Sequence, residues 1–273
     1  MSRYARVLTG TLLLLLSVPV TYGVSQTASA GTQPTSKVGR YTDEVASDNT
    51  VSRYSPVVVV DEIPDEATLH VPPAEPTSPV DLAAAKAAGV SVEVLQLALS
   101  AIECATQSGD IAAPPTLTLI DYSKPSVEPR LWVFDLSTGT LLFRELVAHG
   151  RNTGENLATS FSDTLNSRQS SIGLFVTADT YTGSNGYSLR MDGLEPGFNS
   201  HARERAIVMH GAPYVSEEIA ARQGRLGRSW GCPALREAVA RNVIDTVRGG
   251  GVVFSYYPDE EWLSSSKFLN GCS

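Results

Sequence analysis

Two residues that could do chemistry are a cysteine and a histidine, Cys232 and His210, with 21 residues between them. Gly231 precedes the cysteine in the run Arg-Ser-Trp-Gly-Cys-Pro, and a glycine there lets successive amides point at a forming oxyanion. His210 ends an apolar run and is followed by a glycine, which predicts an imidazole at the rim of a sheet. A cysteine with a histidine is the minimum set for thiol acyl transfer, because the imidazole takes the thiol proton and returns it to the leaving amine.

The activation of this pair depends on its immediate surroundings. Pro233 and the helical pattern after it predict that Cys232 lies just before a helix N-terminus, which would favour the thiolate, and Arg228 would act in the same direction. No acid stands beside His210, so the Gly211 carbonyl is expected to fix its tautomer. The alternatives are a structural or disulfide-bonded cysteine and a histidine that only packs.

The remaining histidines and arginines give weaker signals. His149 ends a predicted strand, where we favour a structural or pocket-lining role over direct chemistry, and His201 is expected at the surface. Neither an H-E-x-x-H nor an H-x-H spacing occurs, so we predict no metal site. Residues 201–241 hold seven arginines, of which Arg228 is the one we single out for a substrate carboxylate.

Several blocks of sequence resemble the L,D-transpeptidase (YkuD-type) catalytic domain, and within it the branch of murein L,D-transpeptidase catalytic domain family proteins. The order His-Gly-Ala-Pro followed by Arg-Ser-x-Gly-Cys carries the resemblance. Further similar runs are Val-Ala-His-Gly-Arg-Asn at 147–152, Ser-Ser-Ile-Gly at 170–173, Ser-Leu-Arg at 188–190 and Gly-Arg-Ser-Trp-Gly-Cys-Pro-Ala at 227–234. The resemblance covers residues 115–258.

The resemblance implies peptidoglycan chemistry in the bacterial cell envelope. Cys232 would attack a tetrapeptide stem, expel D-alanine and pass the acyl group from a thioester to an acceptor amine. His210 would be the base, the Gly211 carbonyl would orient it, and the amides of Trp230, Gly231 and Cys232 itself would bind the oxyanion. No metal or organic cofactor is implied, the partners are peptidoglycan stem peptides, and carbapenems are expected to acylate the cysteine.

Arg228, Ser229 and His149 are our candidates for contacts with the substrate. Many members of the family have a histidine where Trp230 stands, so the tryptophan could instead shape the pocket or stack on substrate. Many also have a polar residue where Ala234 stands.

Other readings stay open at this stage. With water as the acceptor, the same site would be an L,D-carboxypeptidase. Another envelope thiol peptidase is less consistent with the sequence, since papain-like enzymes place cysteine before histidine and sortases place histidine much further upstream. A non-catalytic peptidoglycan-binding protein would not need both Cys232 and His210.

The elements around these residues divide the chain into five predicted segments. Residues 1–30 have the basic start, apolar run and Ala-Ser-Ala end of a secretory signal peptide. The others are an acidic, proline-rich tether at 31–78, a helical lead-in at 79–110, the catalytic domain at 111–260 and a tail at 261–273. Short strands with turn signals dominate the catalytic domain, which predicts a mainly β fold with a few helices, an α+β fold built on a β-sandwich.

Composition and charge exclude several classes of protein. The 273 residues are 42% apolar and 18% charged, which argues against a wholly disordered chain and a multi-span membrane protein. The net charge of −8 argues against duplex nucleic acid as a partner, and no membrane span is expected after signal cleavage. Export also makes a disulfide between the two remaining cysteines, Cys104 and Cys272, a reasonable expectation. The sequence leaves the oligomeric state open.

Overall fold

A computed structural model describes residues 79–272, so the predicted signal peptide at 1–30 and tether at 31–78 lie outside the described residues. Two helices open the described part, α1 (Leu82–Ala87) and α2 (Val92–Gln107). Asp81 and Ser91 begin these helices, since the side chain of each accepts a hydrogen bond from amides of the first turn. None of the helices in residues 79–272 has the length and apolar character that a membrane span requires.

Within the described residues, nine strands form one mixed sheet. They are β1 (Thr116–Asp121), β2 (Leu131–Asp135), β3 (Leu141–Glu145), β4 (Val147–Ala148), β5 (Gly173–Gly183), β6 (Gly186–Gly193), β7 (Val208–Gly211), β8 (Ala234–Leu235) and β9 (Val252–Tyr256). Their order across the sheet is β3-β2-β1-β9-β5-β6-β7-β8-β4. Strands β3 and β4 stand at opposite ends of this order, yet only Leu146 separates them in sequence. The sheet therefore rolls until its two edges meet, and the prediction of a mainly β fold with a few helices is confirmed.

Alternating side chains of the strands pack into two apolar layers on opposite faces of this rolled sheet. On β9, Val252 and Phe254 join one layer and Val253 joins the other. The first layer packs against α2. A short helix, α3 (Glu217–Gln223), follows β7. The second layer packs against α4 (Glu237–Val247), whose buried side chains include Val243 and Ile244.

The segment predicted as the tail, 261–273, folds into α5 (Glu260–Ser265) and α6 (Lys267–Asn270). Trp262 is fully buried and its indole N–H donates to the Glu195 carboxylate over 2.9 Å. These helices are shorter than two turns, so their sequence carries no clear helical periodicity and burial of the tryptophan decides the fold.

The described end of the chain is joined to the lead-in. Cys104 on α2 and Cys272 form a disulfide with their Cα atoms 5.4 Å apart. The bridge holds the segment after α6 against α2.

Candidate active site

The loop that carries Cys232 leads into β8 and pairs with the segment that follows β4. The Ser229 amide donates to the His149 carbonyl over 3.0 Å, and the Arg151 amide donates to the Ser229 carbonyl over 2.8 Å. Gly150 and Ser229 are thereby paired as a parallel bridge next to β4. These backbone bonds hold the cysteine loop against the segment that follows β4.

Ser229 is buried and closes the loop from inside. Its hydroxyl donates to the Cys232 carbonyl over 2.7 Å and accepts the Gly231 amide over 3.1 Å. The predicted substrate contact is therefore not available to Ser229 as folded. The Gly231 amide is also occupied, so the prediction that it binds an oxyanion does not fit this arrangement.

Gly231 is required by its backbone conformation and by its neighbours. Its φ is +126°, where other residues are strained, and an added Cβ would lie 2.7 Å from both the Gln169 carbonyl oxygen and Ile207 Cδ1. The Ser170 hydroxyl donates to the Gly231 carbonyl over 3.0 Å and accepts the Gly150 amide over 3.0 Å. The loop around 170 thus supports the residue that precedes the cysteine.

The Cys232 sulfur lies in a buried backbone environment, with 7% of the residue exposed. It accepts the Val208 amide over 3.4 Å, and its S–H donates to the Ala206 carbonyl over 3.6 Å. Ala206 has a φ of 54°, a left-handed conformation that costs energy for a residue other than glycine. Strained backbone thus presents a carbonyl to the thiol.

Burial raises the pKa of the Cys232 thiol above its usual value, while the Val208 amide, the Arg205 charge and the amide of Cys232 itself act to lower it. The resting form is therefore the neutral thiol. The prediction of a helix N-terminus directly after the cysteine is wrong, because β8 follows and α4 begins only at Glu237. The local sequence pattern after Cys232 favours a helix, but pairing with β7 holds Ala234 and Leu235 in an extended strand.

His210 ends β7 beside the cysteine loop. In the parallel pairing of β7 with β8 it stands opposite Ala234, two residues after Cys232. Its Nδ1 donates to the Gly211 carbonyl over 2.9 Å, since a carbonyl oxygen can only accept. Burial lowers the pKa of His210 and the Gly211 hydrogen bond opposes this, so the ring is neutral at neutral pH with its Nε2 lone pair available.

Arg205 is the cation whose charge lowers the pKa of the Cys232 thiol. The sequence did not single it out among the seven arginines. Its side chain is 2% exposed and lies 3.8 Å from the Asp163 carboxylate. The guanidinium donates to the carbonyls of Ser162 and Gln169, the latter over 2.6 Å. Arg205 therefore pins the long segment between β4 and β5 beside Cys232.

Arg228 does not act as predicted. Its guanidinium pairs with Glu155 over 2.7 Å and donates to the carbonyls of Arg151 and Gly154. All three contacts are made by Nη1, and Arg205 rather than Arg228 acts on the Cys232 thiol. Spacing along the chain alone could not separate these two arginines.

His149 lies behind the cysteine loop and is 1% exposed. Its Nδ1 accepts from the Arg130 guanidinium over 2.8 Å, which leaves the proton on Nε2, 3.4 Å from the Gly154 carbonyl. Burial first, and then the charge of Arg130, lower its pKa to about 4. As folded, His149 is enclosed by these contacts, and a direct contact with substrate is not available to it.

Trp230 is the exposed residue of the cysteine loop, with 69% of its surface accessible. The Arg168 guanidinium lies over its ring, 4.9 Å from the centroid. Among the described residues no acceptor takes the Trp230 amide, which remains a candidate oxyanion donor.

The model of the L,D-transpeptidase catalytic domain family matches residues 86–256, more than half of the chain. The chain belongs to this family. The match covers the sheet, the long segment between β4 and β5 and the cysteine loop.

Several solved structures, two of them L,D-transpeptidases, are similar to this chain at low identity. One from Mycobacterium smegmatis is 14% identical, with a TM-score of 0.34, covering 52% of this chain and 59% of that one. One from Stackebrandtia nassauensis is 15% identical, with a TM-score of 0.33, covering 60% and 68%. The helical cell shape determining protein Pgp2 from Campylobacter jejuni is 12% identical, with a TM-score of 0.33, covering 59% and 57%. No curated protein matches the chain.

In this L,D-transpeptidase family member, the structure brings together four of the predicted site residues, Cys232, His210, Gly211 and Trp230. It buries Ser229 and His149, and it pairs Arg228 with Glu155. It adds Arg205 and Ala206. The only sequence signal for Arg205 was the abundance of arginine in residues 201–241, and Ala206 had none.

Proposed function

We propose that the protein is a peptidoglycan L,D-transpeptidase that acts in the cell envelope and transfers a peptide acyl group through Cys232. One observation carries this proposal: the parallel pairing of β7 with β8 places His210 opposite Ala234, two residues after the free cysteine. On the same strand as His210, the Val208 amide donates to the Cys232 sulfur over 3.4 Å, so the thiol lies against the strand that carries the imidazole.

Acylation begins from a neutral pair. As the Cys232 sulfur attacks the carbonyl of the third stem residue, its proton passes to Nε2 of His210. The Gly211 carbonyl holds Nδ1–H and so keeps Nε2 free to accept this proton. The amides of Trp230 and Cys232 are the donors that we assign to the oxyanion. Collapse of the tetrahedral intermediate breaks the peptide bond, and His210 protonates the departing amine of D-alanine.

Deacylation reverses the same steps with a new nucleophile. An amine of an acceptor stem attacks the thioester, His210 takes its proton, and the cysteine leaves and regains a proton as the thiol. Transfer to an amine forms a cross-link, whereas attack by water gives a shortened stem.

A carbapenem tests the nucleophile. Intact mass of the wild-type protein is expected to increase by one carbapenem, and Cys232→Ala is expected to show no increase. Absence of an adduct on the wild type, or an adduct that persists in Cys232→Ala, contradicts the assignment.

Purified tetrapeptide stems test the reaction itself. A cross-linked dimer with release of D-alanine is the expected product, and a tripeptide as the only product would instead make the protein a carboxypeptidase.

We also propose that residues 1–30 direct export. A mature N-terminus at Gly31 on protein recovered from the envelope is the expected finding.

A further inference from the structure

The peptide group between Gly231 and Cys232 has its two polar ends on different sides of the cysteine loop. Its carbonyl, that of Gly231, accepts the buried Ser170 hydroxyl over 3.0 Å. Its N–H, that of Cys232, has no oxygen acceptor within residues 79–272 and lies by its own sulfur, where it lowers the pKa of the thiol. Because the bond is trans, the carbonyl and the N–H point in opposite directions. A carbonyl that is held by Ser170 therefore keeps this N–H on the side of the sulfur.

The neighbouring peptide groups of this loop are fixed from within it. Ser229 Oγ accepts the Gly231 amide over 3.1 Å and donates to the Cys232 carbonyl over 2.7 Å. Both contacts lie outside the peptide group between Gly231 and Cys232, which can still turn by opposite rotations about the bonds on either side of it. A glycine before the bond makes such a turn easy, because it permits many backbone angles. Among the described residues, Ser170 is the one that hydrogen-bonds to this peptide group from outside the loop.

Ser170 can hold the carbonyl in one place because it is itself held by its surroundings. It is 1% exposed, its amide donates to Thr153 Oγ1 over 2.7 Å, and its carbonyl accepts the Ser162 amide over 3.1 Å. Its hydroxyl also accepts the Gly150 amide over 3.0 Å. Since an amide N–H can only donate and a carbonyl can only accept, the hydroxyl proton is committed to the carbonyl of Gly231.

We propose that Ser170 is a positioning residue for acylation, whose hydroxyl fixes the peptide group between Gly231 and Cys232 so that the Cys232 amide meets the oxyanion. Ser170 acts through the loop and does not touch the substrate. Its effect belongs to the step in which negative charge develops on the attacked carbonyl oxygen, and binding of the ground state does not depend on it. This inference rests on the proposed function and adds the residue that holds the oxyanion site in place.

Two reactions of the same thiol separate this role from a general effect on the fold. Carbapenem acylation passes through an oxyanion, whereas alkylation by iodoacetamide displaces iodide and forms none. In Ser170→Ala the maximal rate of acylation should fall about tenfold to a hundredfold, since the oxyanion donor is loosened rather than removed. The half-saturating carbapenem concentration and the alkylation rate should both stay within about twofold of the wild type.

Thr177→Val is the matched control for loss of a buried hydroxyl. The Thr177 side chain is buried on β5 and donates to the Val247 carbonyl over 2.6 Å, with no hydrogen bond to the cysteine loop among the described residues. This control should leave the acylation and alkylation rates unchanged. Ser170→Thr retains the hydroxyl and should therefore keep most of the acylation rate.

Three results would overturn the inference: an acylation rate in Ser170→Ala equal to that of the wild type, acylation and alkylation rates that change by the same factor, or a loss in Ser170→Thr as large as in Ser170→Ala. Failure of the proposed function gives a different pattern. In that case the wild type releases no D-alanine from tetrapeptide stems, while carbapenem acylation still falls in Ser170→Ala and not in Thr177→Val.

Discussion

The Nδ1–H of His210 donates to the carbonyl of Gly211 over 2.9 Å. A backbone acceptor one residue away does the work that a carboxylate does in many hydrolytic triads, which is to fix the tautomer and direct Nε2 outward. Because a carbonyl is neutral, it stabilises an imidazolium less than a carboxylate would, and burial keeps the resting ring uncharged.

This relationship predicts the pH dependence of acylation. The lowered pKa of His210 keeps the ring neutral down to a pH below the usual value of 6.5, so the rate should be flat near neutrality and fall only at lower pH. His210→Gln should slow acylation by about a hundredfold or more and remove this acidic fall. Stopped-flow carbapenem acylation from pH 4.5 to 8 measures both, and an unchanged profile in the variant would show that another group is the base.

Arg205 predicts a shift in the reactivity of the thiol. Removing its charge in Arg205→Met should raise the pKa of Cys232 further, because the guanidinium lowers this pKa in the folded protein. The rate of alkylation by iodoacetamide as a function of pH reports the change. Arg228→Met is the matched control, since Arg228 pairs with Glu155 and does not act on the thiol. Equal shifts in both variants would rule out a specific effect of Arg205.

Gly231 predicts a stability difference between two glycines that share a positive φ. Gly231→Ala should destabilise the fold by about 2 kcal/mol or more, since the new methyl group meets the Gln169 carbonyl as well as backbone strain. Gly186 has a φ of 71° and nothing within 4 Å of an added Cβ. Gly186→Ala should therefore lower the free energy of unfolding by about 1 kcal/mol, from backbone strain alone. Urea unfolding compares them, and equal losses would mean that the contact with Gln169 relaxes freely.

The disulfide between Cys104 and Cys272 predicts one free thiol in the denatured, non-reduced protein, that of Cys232. Cys104→Ser should lower the free energy of unfolding by about 2–4 kcal/mol, because the bridge closes a long loop in the unfolded chain. Thiol titration and thermal unfolding measure these effects. Three free thiols would show that the bridge does not form in solution.

His149 predicts a loss of stability in acid. Its folded pKa of about 4 is below the unfolded value of 6.5, so the unfolded chain binds more protons between these values and stability falls as the pH drops through them. The full effect is roughly 3 kcal/mol. Urea unfolding at pH 7 and pH 4.5 should show a smaller acid loss in His149→Gln than in the wild type, and identical losses would contradict the buried neutral ring.

The sequence alone determined the residues that could react and the elements that carry them. Cys232 after a glycine, His210 at the end of an apolar run and Gly211 behind it are local patterns, and the strands follow from short runs of β-branched and aromatic residues separated by turn signals. These features are set within a few neighbouring residues, so the linear chain is enough to read them.

Only the tertiary structure decided which neighbours act on the cysteine. Pairing with β7 extended the residues after Cys232 and removed the predicted helix N-terminus, and contacts between distant loops gave the buried charge to Arg205 while Arg228 paired with Glu155. Burial and long-range pairing also made His149 structural and left Trp230 exposed under Arg168. Which arginine is buried and which is paired depends on which segments meet in space. The local sequence does not distinguish among the seven arginines of residues 201–241.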